Sequence, residues 1–290
     1  MKIGVIGTPG GWSSEKLADT VAERTGQERV LIDMEQVRLD LPSGEAFHNG
    51  HRLGDFDALM IKKIGSRYSP DLLDRLEVLR YLSEKGLRIF SSPYSILRAL
   101  DRLSCTVSLQ INDIPMPPTT ITESVDQALV ALEKYGQAVF KPLYTSKARG
   151  MTVLENGPDA RAKIEAYKAE FPIMYIQKTI DLGDLDLGIA FLGGEYLTTY
   201  ARCKTNGAWN TTTASGGKYR PYEPAPEIIE LARKAQAPFN LDFTCVDVAI
   251  TPDGPYVFEV SVFGGFRGIQ ETSGIDAAAR YVDYVMEKLT

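Results

Sequence analysis

A mixed α/β chain that opens on a parallel sheet and continues into antiparallel sheet is predicted by three observations. First, KIGVIG (2–7) and RVLID (29–33) are short apolar runs separated by a helical stretch that starts near Ser13. Second, DALMIKK (57–63) and LRIFSS (87–92) bracket a second helix. Strands that alternate with helices build a parallel sheet. Third, beyond residue 120 the apolar runs come in closely spaced pairs joined by turn residues, which is the pattern of antiparallel hairpins.

In the first region the second helix is the best marked. Leu72, Leu76 and Leu79 recur at helical spacing, Ser69 is placed to cap it, Pro70 suits its first turn and Gly86 stops it. A helix over about Ile96 to Gln110 follows, and the Pro-rich IPMPPTT (114–120) separates this region from the next. There Ser124 and Gln127 have capping-box spacing before a helix that ends at Gly136. QAVFKPL and MTVLEN read as antiparallel strands around the loop YTSKARG, followed by a helix near 158–170 and the strand IMYIQKT (173–179). The remainder carries a strand pair near 186–202, a helix opened by Pro226, a hairpin over 244–262 and a C-terminal helix over 275–289. A new unit begins at the Pro-rich stretch.

With 290 residues, 44% hydrophobic and 24% charged, the chain can bury a sizeable core and has the composition of a globular protein. Its formal charge of −6 argues against a nucleic-acid partner, although a local basic cleft can still steer an anion. No run approaches a membrane span, and the N-terminal apolar run is too short for a signal sequence. The three cysteines are scattered without metal or disulfide spacing, which fits a reducing cytoplasm.

The chemistry-bearing signals cluster in a few places. GVIGTPGG imitates a dinucleotide fingerprint, but the spacing of Gly4, Gly7 and Gly10 departs from it, so a plain strand-to-helix turn is expected. His48 and His51 lie in the polar stretch HNGH and are expected to be solvated. In FTCVDVAI and YVFEVSV, joined by TPDGP, facing of residues 250 and 256 would set Asp247 opposite Glu259. Like charges so placed repel. Either one acid is exposed or protonated, or the register is shifted by one, or the pair binds a hard cation such as Mg²⁺, which is usually completed by substrate phosphates. Lys141 interrupts an apolar strand, as an edge residue or as a phosphate ligand. The following loop, with Ser146, Lys147, Arg149 and Gly150, is a solvated turn or a cover over an anion.

These stretches resemble the ATP-grasp superfamily, and within it the RimK-type amino-acid ligases. The resemblance spans nearly the whole chain and is carried by LDRLSC with IPMPPT, by VFKPL with its serine-bearing loop, by YARCK followed by Trp209 and GGKY, and by VDVA followed by FEVSVFGGFRGIQETSGID. It implies an ATP-grasp fold behind an N-terminal parallel α/β domain, with a central lid subdomain and a division into 1–93, 94–179 and 180–290. It also implies a nucleotide held between two antiparallel sheets with Mg²⁺, for which Mn²⁺ can substitute. It implies that Arg102, Lys141, Ser146, Lys178, Thr179, Asp186, Asn210, Thr211 and Thr212 bind ATP. Asp247, Glu259 and Ser261 would hold the metal, and Arg202 would stabilise the transition state. The implied reaction activates a carboxylate as an acyl phosphate and joins it to an amine. Its partners would be an amino acid and a small-molecule carboxylate or a peptide or protein terminus, with neither nucleic acid nor membrane; a homo-oligomer is compatible with this. The alternative is a nucleotide-binding regulatory or scaffold protein without turnover. The chain departs from the family pattern at Lys178, where Glu is usual, at Gly188, where Arg is usual, at Thr212 and Ser261, where Asn is usual, and at Thr145 and Ala148 in the loop.

Overall fold

The computed structural model describes residues 1–145, 148–204, 211 and 217–290. The chain opens with β1 (Ile3–Ile6), α1 (Trp12–Thr25) and β2 (Leu31–Ile32), joined by the plain turn expected of GVIGTPGG. At Gly7 that turn admits no side chain, because a Cβ would sit 2.7 Å from the Ser14 Cβ. A small antiparallel sheet follows, β3 (Arg38–Asp40), β4 (Glu45–His48) and β5 (His51–Arg52). Sequence periodicity missed it because its strands are two to four residues long.

HNGH is therefore a hairpin, with Asn49 and Gly50 at positive φ and His48 paired to His51. His48 is not solvated as expected. It is 4% exposed, its Nε2 accepts from the Asp33 N–H at 3.2 Å, and burial holds its pKa down.

Next come β6 (Ala58–Ile61), α2 (Asp71–Glu84) and β7 (Arg88–Phe90), which complete a parallel sheet of order β2-β1-β6-β7. Leu72, Leu76, Leu79 and Leu82 form the buried stripe of α2. Ser69 does not cap that helix; Pro70 occupies the cap position and the Ser69 hydroxyl donates to Asp71 instead.

The single helix expected over 96–110 is two, α3 (Pro93–Leu97) and α4 (Arg102–Ile111). Asp101 causes the break, since its carboxylate accepts from the Ser104 N–H at 2.9 Å and starts a new helix. This places Arg102 at the first helical position, where its side chain can reach the next sheet.

That sheet is built from β8 (Thr119–Thr122), β9 (Gln137–Lys141), β10 (Thr152–Glu155) and β11 (Met174–Lys178), antiparallel in the order β10-β9-β11-β8. Helices α5 (Val125–Tyr135) and α6 (Ala160–Glu170) cover one face. Ser124 caps α5 as expected, accepting from the Gln127 N–H. The Pro-rich stretch is not only a separator, because its last residues become strand β8.

The last sheet has the order β14-β13-β12-β15-β16, from β12 (Leu185–Leu192), β13 (Glu195–Cys203), β14 (Lys218–Pro221), β15 (Phe243–Thr251) and β16 (Gly254–Ser261). Helix α7 (Pro226–Gln236) packs on it, α8 (Arg267–Ser273) follows the glycine loop, and α9 (Ala277–Leu289) closes the chain. One core runs from Ile6, Leu59 and Leu79 of the first region to Leu187, Val246 and Val260 of the last sheet, whereas Ala131, Phe140, Ile164 and Ile176 form a separate core in the middle one. The first and last sheets are thus bound by shared apolar burial, and the middle unit has its own. No helix among the described residues is long and apolar enough to cross a membrane.

Candidate active site

Two cross-strand rows on one face of the last sheet assemble the charged groups. Tyr200, Gly188, Asp247 and Glu259 stand in register across β13, β12, β15 and β16, and Arg202 stands opposite Asp186 one step along. The carboxylate pair expected from the sequence is present, but by another route. Residue 250 faces Pro255, not 256, and a bulge between Asp247 and Val248 makes β16 skip Phe258, which restores Asp247 to Glu259. A bulge inserts one residue on one strand and bends it locally. Here it also sets the Phe258 ring 5.3 Å from the Lys141 Nζ.

Arg202 holds the cluster together. It donates to both carboxylate oxygens of Asp186, at 3.0 and 2.6 Å, and lies 3.0 Å from Asp247. The three side chains are 15–21% exposed. Asp247 is pushed up to about 7 by burial, with Arg202 pulling the other way and Glu259 and Asp186 adding to the rise. The Ser261 hydroxyl donates to Glu259 at 3.3 Å.

The middle sheet presents the complementary charge. Lys141 is 8% exposed and belongs to an interior strand, so it is not an edge residue. Its ammonium donates to Gln177 Oε1, and burial followed by repulsion from Arg102 lowers its pKa to about 7, against the pull of Glu259. Arg102 donates to the Pro142 carbonyl at 3.2 Å. Lys178 is exposed at the strand end and its N–H donates to the Pro118 carbonyl. The Thr179 hydroxyl is buried and has no hydrogen-bond partner among the described residues. Thr211 is buried, while Ser146, Lys147, Asn210 and Thr212 lie outside the described residues.

Two residues of this site escaped the sequence reading. Gln177 links Lys141 to Thr119, at 3.1 Å from its Oγ1, and could have been suspected as a lone amide in the apolar strand IMYIQ. Tyr68 reaches in from the first region to line, with Arg102, Leu143, Thr145 and Glu259, a void of about 20 Å³. Nothing in RYSP marks it. That void holds about one water.

Asp247 and Glu259 supply hard carboxylate oxygens side by side, and Mg²⁺ takes one or two carboxylates with the rest from water and phosphate. The donor set therefore fits Mg²⁺ without a protein-only cage. Among the described residues there is no group of three or more His, Cys, Asp or Glu able to hold a metal ion.

Gly188, the departure noted in the sequence, has a steric explanation. A Cβ there would lie 2.4 Å from the Tyr200 ring and 2.6 Å from its hydroxyl, and Tyr200 also fills the space beside Gly268. Gly188→Ala is expected to cost about 1–3 kcal/mol by overpacking. A double-mutant cycle with Tyr200→Ala in urea unfolding should recover much of it; additive losses would mean that the ring is not the obstacle.

Two antiparallel sheets thus come together here, one offering a buried lysine and the other paired carboxylates. The RimK-like ATP-grasp domain matches residues 99–285, and the chain belongs to that family. It is 27% identical over 298 residues to the ribosomal protein bS6–L-glutamate ligase of Salmonella paratyphi B, covering 100% of this chain and 97% of that protein. It is 25% identical over 241 residues to the tetrahydromethanopterin:alpha-L-glutamate ligase of Methanocaldococcus jannaschii, covering 81% of each. Among solved structures, the ATP-grasp ligase PsnB complexed with a phosphomimetic variant of its minimal precursor, Mg and ADP superposes with a TM-score of 0.77 at 17% identity, over 99% of this chain and 98% of that one. The fold is the ATP-grasp fold expected, and the protein is an ATP-dependent ligase forming carbon–nitrogen bonds.

Proposed function

We propose that the chain joins an amino acid to the carboxylate of a small molecule or of a peptide or protein terminus, using ATP and Mg²⁺. The observation that carries this reading is that the strand bearing Glu259, opposite Asp247, lies against the buried Lys141 through the Phe258 ring, with Glu259 close enough to act on the Lys141 charge. Carboxylates on one side and a cation on the other suit a metal-bound polyphosphate. Lys141 and Arg102 would bind phosphate oxygens. Lys178, Thr179, Asp186 and Thr211, with Ser146, Asn210 and Thr212, would hold the rest of the nucleotide. Asp247, Glu259 and Ser261 would hold Mg²⁺, or Mn²⁺ in its place, whose positive charge would offset that of the phosphates. Residues 1–93, 94–179 and 180–290 would act as base, lid and metal-bearing subdomain.

In this scheme a carboxylate oxygen attacks the γ-phosphorus, the bond to the β-phosphate oxygen breaks and ADP leaves. The amine nitrogen then attacks the acyl carbon, inorganic phosphate departs and the amine loses a proton. Lys141 and Arg202 stabilise the charge on the transferred group by position rather than by covalent chemistry. Gly188 stands where the family usually carries Arg, so a glutamate-type side chain would lack that cation here. That the named relatives are ligases speaks against the reading as a scaffold without turnover.

The test is ADP release over pools of amino acids and carboxylate acceptors with Mg²⁺. Release that needs both substrates supports the reading, and tight ATP binding without turnover in every pool counts against it. Glu259→Gln separates the metal role. Removing the charge opposite Asp247 should stabilise the ligand-free protein by up to about 1 kcal/mol while abolishing most of the additional melting shift that Mg²⁺ gives to ATP. A variant that keeps the full Mg·ATP shift would remove Glu259 from the metal site.

A further inference from the structure

Lys62 takes no part in the scheme above, yet it is one of the most buried cations of the protein, at 3% exposure. It follows β6 of the first sheet and crosses to the loop after Ser261, where its ammonium donates to the carbonyls of Phe263, at 3.3 Å, and of Gly264. The Phe266 ring centroid lies 4.4 Å away and that of Phe243 5.9 Å. No carboxylate among the described residues pairs with it. An ammonium in such a place is held by carbonyl dipoles and ring faces alone.

The loop it grips sits against the metal-facing strand. A Cβ on Gly264 would lie 3.1 Å from the Thr244 carbonyl carbon and 3.2 Å from the Cys245 nitrogen, two to three residues before Asp247. The Ser261 carbonyl is held from the same strand by the Thr244 hydroxyl at 2.9 Å. The turn that follows Glu259 and Ser261 is thus fixed from outside, by Thr244 at its start and by Lys62 at its middle.

We infer that Lys62 is a positioning residue: by holding the Phe263 and Gly264 carbonyls it presses the glycine loop onto β15 and sets the direction in which Glu259 and Ser261 present their oxygens. The first region thereby acts on the metal edge without touching the nucleotide. Burial, then the neighbouring Lys63, lower Lys62 to about 7, opposed by Cys245, so the charged form is disfavoured there; the amine can donate to these carbonyls whether charged or neutral. The inference rests on the reading of Asp247 and Glu259 as the Mg·ATP site.

The experiment compares wild type, Lys62→Met and Lys62→Arg by calorimetry with ATP alone and with Mg·ATP. The methionine keeps the apolar stem and removes the donor. Its affinity for ATP alone should stay near wild type while the gain contributed by Mg²⁺ falls about tenfold or more, as when an outer partner of a metal ligand is lost. Lys62→Arg, which keeps a donor, should restore part of that gain. Gly264→Ala, which pushes the same loop off β15, should reproduce the loss, and it decides the matter if Lys62→Met does not fold. An unchanged Mg²⁺ gain in the folded variants, or equal losses with and without Mg²⁺, would make Lys62 a packing residue and overturn the inference. A wild type that shows no Mg²⁺ gain would overturn the metal-site reading itself, and the inference with it.

Discussion

Arg202→Ala is expected to lower stability by about 3–5 kcal/mol, because it leaves the buried carboxylates of Asp186 and Asp247 without their shared cation. The deficit should depend on pH in a known direction. Asp247 already sits near 7 in the folded protein, above its ordinary value, so the folded state holds a proton there that the unfolded chain has released between about 4 and 7. Its contribution to stability therefore falls as pH rises through that window. Removing Arg202 raises the Asp247 pKa further, so the variant should be weakest above pH 7 and recover part of its loss near pH 5. Urea unfolding at the two pH values measures this. A loss under 1 kcal/mol at pH 8 would mean that Arg202 is not the structural centre of the cluster. The same variant is expected to lose turnover, so catalytic and structural roles must be separated by assaying only the fraction shown to be folded.

Lys141→Met is expected to weaken Mg·ATP binding about 10–100-fold, the range for losing a charge-assisted hydrogen bond, while the fold persists. In the ligand-free protein, burial and Arg102 hold Lys141 near 7, well below its ordinary value. Between about 7 and 10.5 the unfolded chain binds a proton that the folded one lacks, so wild-type stability should rise with pH through this window relative to the methionine variant. Phosphate favours the charged ammonium, so ATP binding at pH 8 should take up a proton. Calorimetry in buffers of different ionisation enthalpy reads that uptake directly. The same proton count in Lys141→Met as in wild type would assign the uptake to another group.

The candidate site was legible where chemistry is written in local contrast. A lysine inside VFKPL and two acids in adjacent apolar strands are conspicuous, because a charge in a buried run must have a partner. Lys141 accordingly finds Gln177, and Asp247 stands opposite Glu259 with Arg202 at its side. Gln177 was legible in principle by the same contrast, whereas Tyr68 was not, since an exposed-looking RYSP turn carries no sign of what the rest of the fold brings against it.

Elements with strong periodicity or end signals were likewise readable. The leucine stripe of α2 and the Ser124 cap of α5 come from interactions within a few residues of each other, and local interactions leave local patterns. The helix break at Asp101 was missed although its cap is local, because the apolar spacing runs on through it. The short strands β3 to β5 were missed because two to four residues are too few to establish a period.

By itself the sequence determined the parallel opening region, the antiparallel regions that follow it, and which charged residues lack a local partner. Tertiary structure alone decided how those charges are matched. The bulge at Phe258 places Asp247 opposite Glu259 from a register that starts elsewhere, Arg202 binds Asp186 and Asp247 across neighbouring strands, Tyr200 takes the space left by Gly188, and Lys62 reaches from residue 62 to the carbonyls of 263 and 264. Each of these is a contact between residues distant in sequence or offset by a change of register, and its free energy depends on distances and burial that come into being only when the sheets are packed together.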